Sequence, residues 1–223
     1  MRIAILGAGL MGAALGRLWA QRGDHAVTFT YSRDPKKLER LAAEVGARAA
    51  ASPADAVRDC DAVLVAVPWV RLDDAIARAG GAGAFAGRVV VTCSLPMEPG
   101  DNFVLALGLT TSGAEELARR LPAARVVSAF NTVPSELLHE SVLRTADARP
   151  EVVVCGDDDG ARQVAEQLVR DAGCEPMDAG PLRIARYTEP FALLVAQLAY
   201  ERGMGPALGY RFVRAEAEED EEA

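Results

Sequence analysis

Short runs of β-branched and aliphatic residues alternate along the chain with longer stretches rich in alanine, leucine and arginine. The apolar residues within these runs are consecutive, which is typical of parallel strands covered on both faces. Strands are predicted at Arg2–Leu6, Ala26–Tyr31, Ala62–Val67, Arg88–Thr92, Arg125–Ala129 and Glu151–Cys155. Helices are predicted at Met11–Arg22, Pro35–Val45, Pro53–Arg58, Arg71–Arg78, Ser112–Leu121, Ala161–Ala172 and Glu189–Arg202. This order predicts an α/β fold with a doubly wound, mostly parallel sheet and a C-terminal helical extension.

Charge and composition exclude several classes of function. The net charge of −8 over 223 residues falls mostly on an acidic tail at 214–223, which we interpret as disordered. The near-neutral remainder has no basic stripe, so we expect no nucleic-acid partner. Two histidines and four widely spaced cysteines give no metal-binding pattern, and no apolar run could span a membrane. A strand-like run begins at Met1 without a leader pattern, so we expect a cytoplasmic protein.

The most informative motif follows the first predicted strand and opens the first predicted helix. Its residues are Gly7, Ala8, Gly9, Leu10, Met11 and Gly12. In this context the first glycine allows a tight turn, the second lets the backbone approach a pyrophosphate, and the third lets helix and strand pack closely. The helix N-terminus offers free N–H groups and a positive dipole end to the anion. The motif therefore predicts a Rossmann-type dinucleotide-binding domain.

The end of the second strand indicates which dinucleotide binds. An NAD-selective fold places an acidic residue there, about 20 residues beyond the glycine loop. Here Ser32 and Arg33 follow the strand, and Lys37 lies in the first turn of the next helix. A guanidinium fork, a hydroxyl and an ammonium can together hold a phosphate, which predicts NADP(H) in preference to NAD(H). The nearby Asp34 is interpreted as a helix cap or a solvent-facing side chain.

Several motifs together carry a resemblance to a known family. They are the glycine loop, Ser32-Arg33, Val67-Pro68-Trp69, Cys155-Gly156-Asp157-Asp158-Asp159 and Asp178-Ala179-Gly180-Pro181-Leu182. In these motifs the chain resembles the NADP oxidoreductases that depend on the deazaflavin coenzyme F420. The resemblance extends from Met1 to Gly203-Met204-Gly205 and implies hydride transfer between NADP(H) and a deazaflavin, within a homodimer. It implies an NADP-binding domain over 1–180, and a helical segment over 181–213 that completes the acceptor pocket.

The resemblance also implies which residues contact the cofactor. The pyrophosphate would lie on residues 8–12 and the 2′-phosphate on Ser32, Arg33 and Lys37. Further cofactor contacts would come from loops at the carboxyl ends of three other strands. These contacts are Val67, Pro68, Trp69, Thr92, Asn131 and Ser135. Their placement agrees with the rule that open α/β sheets bind ligands beyond the carboxyl ends of their strands.

The chain departs from the archaeal members of the family on the acceptor side. Those members carry a histidine where Asn131 stands, and hydroxyl residues in the stretch where this chain has Pro190 and Ala192. The acceptor is therefore predicted as a deazaflavin or a flavin-like molecule. Reduction of a small organic substrate, or NADPH sensing without catalysis, stays open as an alternative. No catalytic side chain is predicted, because hydride transfer between two rings depends on their positioning and on the exclusion of water.

Overall fold

The computed structural model describes residues 1–101, 103–145 and 149–213. Its strands are Arg2–Leu6 (β1), Ala26–Thr30 (β2), Arg48–Ala49 (β3), Ala62–Val65 (β4), Val89–Thr92 (β5), Arg125–Ser128 (β6), Glu151–Gly156 (β7) and Glu175–Asp178 (β8). Its helices are Leu10–Arg22 (α1), Pro35–Val45 (α2), Pro53–Arg58 (α3), Leu72–Arg78 (α4), Gly113–Arg120 (α5), Glu140–Thr145 (α6), Asp159–Asp171 (α7) and Ala185–Ala196 (α8). A π-helical turn, Gln197–Glu201, continues α8.

The strands form one eight-stranded sheet in the order β3-β2-β1-β4-β5-β6-β7-β8. From β3 to β6 all neighbours are parallel, whereas β7 runs antiparallel to β6 and β8 runs parallel to β7. The carboxyl ends of β1, β2, β4, β5 and β6 therefore lie at one edge of the sheet, hereafter the carboxyl edge. The prediction of a doubly wound, mostly parallel Rossmann-type sheet is confirmed.

Helices cover both faces of the sheet and bury two separate groups of side chains. On one face α1, α2 and α7 pack against inward residues such as Ile3 and Ile5. On the other face α3, α4, α5 and the start of α8 pack against Ala4 and Leu6. Neighbouring residues of β1 thus serve opposite cores, which explains why its apolar residues are consecutive instead of alternating.

Side-chain caps fix where four of the helices begin, among them α3, where Ser52 accepts from the N–H of Asp55. Asp34 accepts from the N–H of Lys37 at the start of α2, Ser112 accepts from Glu115 at α5, and Asp158 accepts from Ala161 at α7. An N-cap oxygen satisfies an N–H group that has no partner inside the helix. Ser112 and Glu115 also have the spacing of a capping box, and Asp34 has the cap role that we weighed for it.

Four elements differ from the sequence prediction. β3 and β8 are short edge strands of two and four residues that the pattern did not indicate. α6 was not predicted, and α8 begins at Ala185, four residues before the predicted Glu189. The predicted start was late because Leu182–Ile184 forms a 3₁₀ turn that leads directly into the helix.

Two predictions about the C-terminal part of the chain are the boundary near residue 180 and the acidic tail. The sheet ends at Asp178 and α8 packs back on α5, while the division into two segments stays a prediction. The tail at 214–223 lies outside the described residues. Within the described ranges, no helix is long and apolar enough to cross a bilayer, and no group of three or more potential metal ligands occurs.

Candidate functional site

The loops that carry the predicted site residues meet at the carboxyl edge. The N–H of Gly7 donates to the carbonyl of Thr30 over 3.1 Å, which joins the glycine loop to the end of β2. Beyond β5, the N–H of Cys93 donates to Val65 over 3.3 Å. Beyond β6, the N–H of Ala129 donates to Thr92 over 3.1 Å. These bonds continue the ladder past the strand ends, so the structure brings the five predicted loops together.

Two glycines of the glycine loop are required by packing within the protein. Gly7 has φ +110°, and a Cβ there would collide with the carbonyl of Ala66. A Cβ on Gly12 would collide with the carbonyl of Gly7. Gly9 differs, because a Cβ there would meet no protein atom within 4 Å. Packing therefore explains Gly7 and Gly12, whereas the open space beside Gly9 is where a bound group could approach the backbone.

The N-terminus of α1 faces this open space without a competing negative charge. Gly9 is its N-cap, no side chain caps it, and its first turn contains no acidic residue. The first N–H groups of a helix have no intrahelical acceptor, so those of Leu10, Met11 and Gly12 can bind an anion. Gly16, one turn further, was missed by the sequence analysis. A Cβ there would collide with the ring of Phe29, so this glycine lets α1 lie close on β2.

The residues predicted to bind the 2′-phosphate lie at the end of β2. The Arg33 and Lys37 side chains are exposed and make no hydrogen bond or ion pair with the described residues. Ser32 is half-buried, and its Oγ accepts from the N–H of Asp34 over 3.1 Å, which leaves its hydroxyl proton free to donate. The carboxylate of Asp34 is occupied by the helix cap and by Arg40 at 3.8 Å.

Tyr31 shapes this corner and was not singled out from the sequence. It has φ +59°, a left-handed conformation that is rare outside glycine. Its hydroxyl donates to Asp74 Oδ2 of α4 over 2.7 Å. Burial and this hydrogen bond raise the pKa of Tyr31 to about 12. Tyr31 thereby ties the turn before Arg33 to α4.

The segment after β4 lies beside the glycine loop. A Cβ on Gly7 would lie 3.0 Å from Val67 Cγ1, and Val67 is buried while Pro68 is exposed. The half-buried Trp69 indole packs toward α5, where the Arg120 guanidinium lies 4.8 Å from its ring centroid. Val67 and Pro68 thus border the open space, whereas one face of Trp69 is covered by Arg120.

Two predicted hydroxyl contacts are engaged inside the protein. Thr92 is buried, and its Oγ1 accepts from the N–H of Ser94 over 3.2 Å. The hydroxyl of Ser135 donates to Glu136 Oε2 over 3.0 Å, and Tyr200 donates to the same carboxylate oxygen over 3.0 Å. Both residues support their loops at the carboxyl edge.

Among the described residues, one buried side-chain oxygen has no hydrogen-bond partner, and it belongs to Asn131. This residue is 8% exposed, its Nδ2 lies 3.5 Å from Thr188 Oγ1, and its Oδ1 accepts no hydrogen bond. A buried acceptor left unpaired costs about 1–3 kcal/mol, so such a group indicates a missing donor. Thr188 belongs to α8 and was not predicted as a site residue. Its polar side chain beside Pro190 in an apolar helix is the signal that could have indicated it.

These features fit a dinucleotide. The helix N-terminus and the space at Gly9 suit a pyrophosphate, Arg33 and Lys37 suit a further phosphate, and the amide of Asn131 suits a carboxamide. Along the carboxyl edge, Arg33 and Lys37 lie beyond β2, the helix N-terminus and Gly9 lie beyond β1, and Asn131 lies beyond β6.

Comparisons with known proteins agree with the Rossmann-type fold. Residues 2–96 match the family model described as NADP oxidoreductase, coenzyme F420-dependent. A solved structure from Arthrobacter sp. FB24, named as a candidate F420-dependent NADP reductase, has a TM-score of 0.82 and 26% identity. That match covers 95% of this chain and 99% of the other. The resemblance stated from the sequence is confirmed.

Two further matches share either part of the sequence or the fold. Metalloreductase STEAP3 of Rattus norvegicus is 33% identical over 112 residues, which are 50% of this chain and 21% of that protein. The chain thus matches about a fifth of the length of that curated relative. The imine reductase of Streptomyces aurantiacus has a TM-score of 0.68 at 18% identity, over 91% of this chain and 64% of the other. This second likeness shows the fold alone.

Proposed function

We propose that this chain, whose residues 2–96 match the family model described as NADP oxidoreductase, coenzyme F420-dependent, transfers hydride between NADP(H) and a deazaflavin or flavin-like acceptor. The observation that carries the proposal is the open, uncapped N-terminus of α1 beside Gly9. The side chains of Arg33 and Lys37, which are exposed and have no partner among the described residues, support the choice of NADP(H) over NAD(H).

Each group of residues would hold a different part of the dinucleotide. The N–H groups of Leu10, Met11 and Gly12 would bind the pyrophosphate at the positive end of α1. Arg33 would hold the 2′-phosphate with its planar fork. Asn131 would accept from the nicotinamide carboxamide through Oδ1, which satisfies the buried acceptor.

The protein's contribution to the reaction would be positioning. Bound NADPH supplies a hydride that an acceptor ring can take without an acid or base from the protein. Asn131 and the buried Val67 would fix the nicotinamide end, and the apolar surface of α8 would exclude water from it. Orientation of this kind can lower a barrier by about 7–11 kcal/mol when the reacting atoms are about 3–3.5 Å apart.

The acceptor side would be completed by the C-terminal segment in a homodimer. Tyr187, Leu194 and Tyr200 of α8 and its π-helical turn, with Met204 beyond them, are large apolar side chains that are 49–60% exposed. Tyr187 and Leu194, seven residues apart, share one face of α8, and an exposed apolar face is typical of an interface. We propose that it pairs with a second copy of this chain.

The test is a pair of titrations on the purified protein. NADPH and NADH are first titrated by nucleotide fluorescence, and tighter binding of NADPH is expected. Oxidised F420 is then added with NADPH, and bleaching of the deazaflavin absorbance is followed. FMN, FAD and a ferric chelate serve as parallel acceptors, the last because one relative is named a metalloreductase.

The outcomes separate the proposal from its alternatives. Bleaching of F420 or a flavin supports it. Oxidation of NADPH by a small imine, but by neither F420 nor a flavin, would replace the acceptor with an organic substrate. Tight NADPH binding without turnover on any acceptor would leave a sensor, and failure to bind either nucleotide would overturn the proposal entirely.

A further inference from the structure

Glu189 of α8 is a buried carboxylate that neither nucleotide binding nor hydride transfer uses directly. It is 1% exposed, its Oε2 accepts from the N–H of Gly113 over 2.9 Å, and its Oε1 accepts from Ala114 over 3.0 Å. These are the first two N–H groups of α5, whose N-cap Ser112 accepts from Glu115 instead. A residue from a different helix thus completes the cap of α5.

A second contact lies one turn earlier on α8. The guanidinium of Arg186 donates to both oxygens of Glu115, over 2.9 Å and 2.7 Å. This bidentate pair is partly buried, which favours a fixed geometry. Residues three apart share one helix face, so Arg186 and Glu189 together fasten one face of α8 to the first turn of α5.

Thr188, the residue before Glu189 on α8, faces the candidate site. Successive residues of a helix are about 100° apart, so Thr188 faces a different direction from Glu189. Its Oγ1 lies 3.5 Å from Asn131 Nδ2, and both side chains are buried. Thr188 is the one hydrogen-bond partner that the structure gives the Asn131 side chain. The placement of α8 therefore governs the placement of the Asn131 amide.

The Glu189 carboxylate is held by the two N–H groups of α5, because the charged groups near it do not bind it. Burial raises the pKa of Glu189 to about 7, the N–H bonds lower it, and the Glu115 carboxylate raises it further. The thiol of Cys155 on β7 also faces Glu189, and burial raises the pKa of that thiol to about 12. Among the described residues no cation contacts Glu189, because Arg186 is turned to Glu115. The start of α5 is thus its sole anchor.

We propose that Glu189 is a positioning residue: it holds α8 against α5 and so keeps Thr188 at Asn131. The effect on nucleotide binding rests on the proposed function, whereas the effect on the Asn131 loop is a property of the protein alone. Because Arg33 lies beyond β2, four strands from β6 in the sheet, discrimination between NADPH and NADH should not depend on Glu189.

The first experiment compares wild type with Glu189→Ala by amide hydrogen exchange and nucleotide titration. Exchange is followed in peptides that cover residues 112–121 and 129–135. We expect exchange in both peptides to rise tenfold or more, and the Kd values for NADPH and NADH to rise several-fold by the same factor. Glu189→Gln keeps one acceptor and should give an intermediate effect. Glu116→Ala, in the same turn of α5 but paired with Arg119, is the matched control and should change neither readout.

A double-mutant cycle tests whether Glu189 acts through Thr188. Thr188→Val removes the hydroxyl at nearly constant volume and should loosen residues 129–135 without affecting 112–121. If the proposal holds, Thr188→Val combined with Glu189→Ala raises the NADPH Kd no further than the more severe single variant. Additive effects would mean that Glu189 acts elsewhere and would overturn the proposal.

The outcomes distinguish this inference from the proposed function. A wild-type protein that binds no NADPH overturns the proposed function, and the exchange of residues 129–135 then decides the role of Glu189. Unchanged exchange there in Glu189→Ala overturns the inference even if NADPH binds. If Glu189→Ala does not fold, Thr188→Val decides, because unchanged exchange and an unchanged Kd in that variant also contradict it.

Discussion

Arg33 is the residue on which discrimination between the two nicotinamide dinucleotides should depend. Its guanidinium is exposed, has no partner among the described residues, and lies where the second strand ends. We predict that Arg33→Ala weakens NADPH binding by about 1.5–3 kcal/mol, the usual worth of a hydrogen bond to a charged group, and leaves NADH binding nearly unchanged. Fluorescence titration of both nucleotides measures the ratio.

Arg40 provides a control for this variant, because it is also exposed and lies in α2, which begins two residues after Arg33. Arg40→Ala should change neither affinity by more than a small factor. Equal weakening of NADPH and NADH by Arg33→Ala would contradict the assignment of the 2′-phosphate.

Gly9 separates ligand binding from folding. A Cβ at this position meets no protein atom within 4 Å, so Gly9→Val should leave the free energy of unfolding nearly unchanged. The same side chain would fill the space in which a pyrophosphate must approach the backbone, so both nucleotides should bind at least a hundredfold more weakly, about 2.7 kcal/mol. Urea unfolding and titration of NADPH and NADH test the two halves.

Gly83→Val is the matched control, since a Cβ at Gly83 also meets open space and the residue lies in a different turn. It should bind both nucleotides like the wild type. Retained binding in Gly9→Val would show that the loop is not the phosphate site.

At the scale of elements, the contact between α8 and α5 should make stability depend on pH. The pKa of Glu189 is raised to about 7 in the folded protein from 4.5, its ordinary value. A raised carboxyl pKa contributes stability that is fully present below about pH 4.5 and is lost as the pH rises through 7. The loss reaches about 3.5 kcal/mol, at about 1.4 kcal/mol for each unit by which the pKa is raised.

Glu189→Gln is neutral at every pH and lacks this loss. The wild type should therefore lose stability relative to Glu189→Gln between pH 5 and pH 8, as measured by urea unfolding at several pH values. The pKa of Glu115 is lowered, chiefly by Arg186, and its opposite contribution is present in both proteins. Parallel stability curves would contradict the assignment of the raised pKa to Glu189.

Elements with strong local signals could be predicted from the sequence, and elements fixed by distant contacts could not. The glycine loop and the caps at Asp34 and Ser112 depend on neighbouring residues, so their patterns sufficed. The direction of β7 could not be predicted, because consecutive apolar residues indicate that a strand is buried on both faces but do not indicate the direction in which it runs. The partners of Thr188 and Glu189 lie 57 and 76 residues away along the chain, and no local pattern indicates such contacts.

At the scale of the whole molecule, the exposed apolar face of α8 predicts the oligomeric state. Leu194 is 53% exposed near the C-terminal end of α8 and shares this face with Tyr187. We expect a dimer, and we expect Leu194→Glu to convert it to a monomer because a charge would be buried between two apolar surfaces. Light scattering after size-exclusion chromatography measures the mass. Val70→Glu, at an equally apolar position that is 63% exposed in the turn after β4, should leave the mass unchanged.

The reversed direction of β7 determines the edge of the sheet at which the chain leaves β8 and continues toward α8. Because β7 and β8 run backward, the chain leaves the sheet at Asp178 beside the edge where β6 begins, and Leu182 lies against Asp157 and Cys155 there. α8 then returns to the carboxyl edge, where Glu189 contacts the start of α5 and Thr188 Oγ1 lies 3.5 Å from Asn131 Nδ2. The polarity of one strand therefore brings α8 to the same edge as the glycine loop, and a protein shortened at residue 180 would lose Thr188, the hydrogen-bond partner of the Asn131 amide.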